Sequence, residues 1–178
     1  MAALRQEQIA AAQAMADQLP GLIDLQRHRP ETAVLACARM AGTYLFRSFA
    51  LALSNVTPGT VVLSHLANES GPNLIGLLGG ALQRLDIRID NTEVDRLAAE
   101  APQAELPFLQ TQPLLEKAFA PLRTSFGLSL EESAHAAAVA VAIFIRQQQG
   151  LLDANSAFGV AVYGFIEGSK TAPTPAPV

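Results

Sequence analysis

Residues Ser129 to Gly150 read SLEESAHAAAVAVAIFIRQQQG, and this stretch decides the fold class. Ser129 and Glu132 stand three apart, the spacing at which a hydroxyl and a carboxylate reciprocally satisfy the free amides of a helix start. Gly150 is placed to close the helix at its far end. Between these punctuation marks, Ala134 to Ile145 is apolar on nearly every face. A helix of that kind is surrounded by others. It is therefore expected at the centre of a bundle, with helices over 31–53 and 153–168 as its nearest neighbours.

The flanking sequence supplies further helices. Ile9, Ala12, Met15, Ala16 and Leu19 recur at helical spacing over 2–19, and Pro20-Gly21 is expected to end that helix. Pro30 and Glu31 suit the first turn of the next. Val61-Val-Leu63 reads equally as a short strand or as a helix start, Asn68 to Gly71 reads as a break, and a helix is expected from Pro72 to about Leu85. Leu85, Ile87 and Ile89 alternate with charged residues, a period-two pattern that predicts extended structure. Asp90 or Asn91 can cap a short helix. Thr111 and Pro113 begin another, which ends near Gly127. The expected fold is an all-α, single-domain helical bundle of about six or seven helices over 1–168, with one or two short strands as decoration. The proline-rich segment 169–178 is expected to be a flexible tail with nothing to pack against.

Composition narrows the function classes. Half of the 178 residues are apolar and 16% are charged, which argues for a packed core and against disorder. The net charge of −4 offers no basic field for nucleic acid, and Arg27-His28-Arg29 is too short a cluster to supply one. Cys37 is the single cysteine, so no internal disulfide forms; that suits a reducing compartment. The first residues mix both signs of charge and lack the apolar core of a signal peptide. Ala33 to Leu53 is long enough to span a bilayer, but Arg39 and Arg47 interrupt it. A cytoplasmic protein without membrane or nucleic-acid partners is expected.

No Walker loop, G-x-S-x-G elbow, C-x-x-C or H-E-x-x-H occurs, and no cofactor is implied by any motif. Gly76, Gly79 and Gly80 lie in an apolar helical pattern, where close helix packing is their expected role. Two constellations merit attention. Glu132 and His135 share one helical face, as do His65 and Glu69; together these four are candidate ligands for iron, manganese or zinc. Against this stands the capping box, which already claims Glu132. Arg39, Thr43 and Arg47 form a polar stripe with Tyr44 beside it, and Arg39, Tyr44 and Arg47 are candidate contacts for an anionic ligand. The two guanidinium groups would stand about 12 Å apart. The same stripe is explained equally by solvent or by internal pairing, for instance with Glu167.

Gly159, Gly164 and Gly168 give the last helix a small-residue face, suited to close approach by another helix or to a dimer contact. With no catalytic constellation in view, the favoured expectation is a non-catalytic, self-associating interaction protein, a homodimer. The alternative is a protein, possible enzyme included, that binds a small anionic molecule or a metal in a pocket between helices.

Overall fold

The computed structural model describes residues 4–51, 55–98 and 105–176, with the backbone alone for 96–98. Seven helices follow one another: α1 (Gln6–Leu22), α2 (Pro30–Ser48), α3 (His65–Arg84), α4 (Asn91–Ala98), α5 (Phe108–Ser125), α6 (Leu130–Gln147) and α7 (Ala154–Lys170). Among the described residues there is no strand, only isolated bridges such as the antiparallel one between Val61 and Thr171. The chain is the all-α bundle its periodicity predicts.

Local chemistry sets several helix starts. At α6 the Glu132 amide donates to Ser129 Oγ at 3.1 Å and the Ser129 amide donates to Glu132 Oε2 at 2.9 Å. Asp153 caps α7 by accepting from the Ser156 amide at 2.8 Å, and Asp90 accepts from the Thr92 amide at the start of α4.

The centre of the bundle is α2, not α6. Every residue from Thr32 to Phe46 is buried. Helix α7 covers one side of α2 and α6 another, while α6 packs its remaining faces on α1 and α3 and scarcely touches α7. Glycines explain the choice. A β-carbon on Gly164 would stand 2.7 Å from the Ala38 β-carbon, and one on Gly42 would stand 2.6 Å from the Phe165 carbonyl oxygen. The two backbones meet where side chains are absent, so the small-residue face of α7 is spent inside the chain.

Prolines prove weaker punctuation than their local chemistry predicts. Pro20 lies inside α1, Pro72 inside α3, and Pro113 and Pro121 inside α5. An interior proline costs about 3 kcal/mol. Fully burying one leucine returns about 1.5–3 kcal/mol, and α3 buries Leu74, Leu77, Leu78 and Leu82 after its proline. Tertiary burial therefore carries each helix through the break. Segment 85–89 keeps the predicted alternation, with Ile87 buried and Asp86 and Arg88 exposed, but among the described residues it pairs with no strand.

The expected flexible tail is corrected in its first part. Ser169 and Lys170 close α7, and Thr171 and Ala172 are buried. Their backbone pairs with segment 59–62: Ala172 N donates to Thr60 O at 2.9 Å, Gly59 N to Ala172 O at 2.8 Å and Val62 N to Lys170 O at 2.7 Å. Two irregular segments thus satisfy each other's polar backbone groups. Residues 177–178 lie outside the described part.

Candidate functional site

The polar stripe of α2 is drawn into the protein. Arg39 has a side chain only 4% exposed; its Nε donates to Glu167 Oε2 on α7 at 2.6 Å and its Nη1 to the Leu106 carbonyl at 2.7 Å. Arg47 forms a two-pronged pair with Glu116 on α5, at 2.6 and 2.8 Å, and also donates to the Thr174 carbonyl at 2.6 Å. Gln112, one turn before Glu116, donates to that carboxylate and accepts from the backbone and hydroxyl of Thr174. Both guanidinium groups are therefore engaged by the chain's own carboxylates and carbonyls. The arrangement clamps α2 to α5, α7 and the segment after Lys170.

Tyr44 is buried, and its hydroxyl has no hydrogen-bond partner among the described residues; the same holds for Thr43. Burial pushes the Tyr44 phenol well above its usual range, with the neighbouring Glu116 carboxylate adding to the effect. Cys37 is equally enclosed: burial raises its thiol to about 12, so it is no nucleophile at neutral pH.

The four candidate metal ligands do not converge. His65 and Glu69 are exposed on the first turns of α3, and His135 is half-buried on α6. Glu132 is committed to the Ser129 amide and to Arg5, whose Nη2 lies 2.8 Å away. The helix-start hydrogen bond and Arg5 hold its carboxyl below the usual range. Burial lowers the His135 imidazole, against the opposing effect of Glu131 and Glu132. Among the described residues no group of three or more His, Cys, Asp or Glu side chains is placed to hold a metal ion.

A further polar cluster ties the start of α2 to the approach to α5. Glu105 accepts from the Thr32 hydroxyl at 2.7 Å, from Arg29 Nε at 2.9 Å and from the Arg29 amide at 3.3 Å, with His28 Nδ1 at 3.4 Å. These donors, Thr32 first, depress the carboxyl to about 2.

No family model, curated protein or solved structure matches this chain. The functional reading therefore rests on the surface itself.

A concavity of about 560 Å³ lies elsewhere, between α1, α3 and α6. Its walls come from residues one helical turn apart: Ile9 and Gln13 on α1, Gly76, Gly80 and Arg84 on α3, Val139 and Ile143 on α6. Leu4, Leu77, Ala81 and Leu85 complete it. Close packing does not account for Gly80, since a β-carbon there would meet nothing within 4 Å. Ile9, at 49% exposure, is a large apolar side chain left open on the rim. A smaller cleft of about 190 Å³ separates the start of α3 from the end of α7. The larger groove was legible only as the i, i+4, i+8 recurrence of Gly76, Gly80 and Arg84, which periodicity alone attributes to helix packing.

No single helix among the described residues is long and apolar enough to cross a membrane; α5 and α6 together pass on length and composition, but as a pair bent by 114°.

Proposed function

We propose that this protein is a small-molecule binding protein that takes the apolar body of its ligand in the groove between α1, α3 and α6. The observation that carries this reading is the open, glycine-edged, apolar groove itself. Its volume falls within the range of about 300–1,000 Å³ typical of small-molecule sites, and it is lined chiefly by aliphatic side chains with few polar groups.

Two other readings have less support. A ligand gripped by Arg39 and Arg47 competes with the carboxylates that already hold them. Self-association through the glycine face of α7 competes with α2, which occupies that face. No nucleophile, metal group or paired acid and base lines the groove, so binding, rather than a reaction, is the function its chemistry favours.

The test is titration with a neutral apolar fluorophore such as Nile red, against wild type and Gly80→Trp. Saturable one-to-one binding by wild type, lost in Gly80→Trp while the helical circular-dichroism signal is kept, is expected. Equal binding by the two proteins moves the ligand away from this groove and ends the proposal.

A further inference from the structure

Arg84 distinguishes the groove from a simple apolar cleft. It is the charged residue among those lining it, and it sits in the last turn of α3 with its side chain exposed. It forms no ion pair with any described residue, as is also true of Arg88, Arg123 and Arg146, but of these only Arg84 lines the groove. Asp17, one turn after Gln13 on α1, is held by amides: Gln13 donates to it at 2.9 Å and Gln147 at 2.8 Å. The groove thus combines an apolar channel with one arginine that has no ion-pair partner among the described residues.

The geometry points to a single-headed anionic amphiphile as the ligand: an alkyl chain along the glycine edge of α3, with a carboxylate or sulfonate on Arg84. This rests on the groove being the binding site. Gly76, Gly80 and Arg84 follow one another at intervals of four on one face of α3, so the track from first to last is about 12 Å long. That is the reach of a medium-length alkyl chain. Along the track the glycines present no side chain, and Ile9, Val139 and Ile143 face the chain from the other helices. At its end a guanidinium offers the paired donors that match a carboxylate. A cationic head would be repelled there, and a neutral one would gain less.

Isothermal titration of the full chain with decanoate, decyltrimethylammonium and octanoate, each below its micellar concentration, tests this. One-to-one binding of decanoate is expected, with the trimethylammonium probe at least about tenfold weaker. Octanoate, shorter by two methylenes, is expected to bind about tenfold more weakly than decanoate. Arg84→Gln should remove the preference between anion and cation without abolishing binding of either. Gly80→Trp should abolish both. Equal affinity of wild type for decanoate and the cationic probe overturns the anionic head while leaving the groove as an apolar site. Failure of all three probes, together with failure of Nile red, overturns the groove reading as well. Sedimentation of the unliganded protein as a dimer that Ile9→Glu dissociates would seat a second copy in the groove, and overturns the small-molecule occupant.

Discussion

Gly168 lies directly over the carbonyl of Arg39: a β-carbon at position 168 would overlap that oxygen and stand 2.9 Å from the carbonyl carbon. Both partners of this contact are backbone, so no rotamer change relieves it. Gly168→Ala must force α7 away from α2, the most extensive helix contact in the molecule. Overpacking of a close-packed core costs about 1–3 kcal/mol, and a rigid backbone contact belongs at the upper end. Gly80→Ala, on a helix face with nothing in reach, should instead stabilise by up to about 1 kcal/mol through helix propensity. Urea unfolding of the two variants gives opposite shifts in midpoint; an unchanged or raised midpoint for Gly168→Ala would mean that the α2–α7 contact is looser than described.

Removing one half of the Arg47–Glu116 pair should be far worse than removing both. The Glu116 side chain is 5% exposed, so Arg47→Ala leaves a buried carboxylate whose compensating cation is gone. Breaking such a pair costs about 3–5 kcal/mol. The double variant Arg47→Met/Glu116→Leu, which buries neither charge, should recover most of that loss. A thermal-melting double-mutant cycle measures it, and additive effects would deny the coupling.

The hydroxyls of Thr43 and Tyr44 are buried without a hydrogen-bond partner among the described residues, which carries a desolvation cost with no return. Thr43→Val keeps the shape of the side chain and removes the polar atom. It should stabilise the fold by about 1 kcal/mol, read as a rise in the urea midpoint. A loss of stability would show that the hydroxyl is satisfied in solution.

Acid should weaken the link between the start of α2 and residue 105. Glu105 has its carboxyl lowered from 4.5 to about 2 by Thr32 and Arg29, so it binds a proton more readily unfolded than folded. Its contribution is therefore complete above pH 4.5 and is lost as the pH falls towards 2. Glu105→Gln should melt below wild type at neutral pH, by about 1 kcal/mol or less for so accessible a cluster. The two melting curves should converge on acidification, and a gap independent of pH would assign the loss to packing.

Helix identity was legible where the sequence punctuates itself chemically. Ser129 and Glu132 name the start of α6 because a capping box is local. The end of α1 was misplaced because Pro20 reports only the local cost, while Leu19 and Ile23 are buried by contacts distant in sequence. The same physics hid the centre of the bundle: the alanine-rich α6 announces burial loudly, but α2 wins the central place through Gly42 meeting α7, a juxtaposition no single segment contains. At the candidate site, helical spacing put Arg39 and Arg47 in one stripe and offered Glu167 as an example of an internal partner for that stripe; the structure pairs Glu167 with Arg39. The partner of Arg47, Glu116, lies on another helix whose facing side is set only by packing. The groove was invisible for the complementary reason: a glycine beside empty space and a glycine beside a neighbouring helix look alike in sequence.

The pairing of α2 with α7 also sets an order of events during synthesis. Helix α2 is complete at Ser48, but its most extensive partner ends at Lys170, about 120 residues later. At about 5–20 residues per second, the ribosome takes roughly ten seconds to supply it. For that interval one whole side of the central helix stands uncovered, with Gly42 offering a bare backbone notch to whatever passes. A nascent chain of this design should depend on chaperone shelter until its final helix emerges, even though the finished molecule hides that surface entirely.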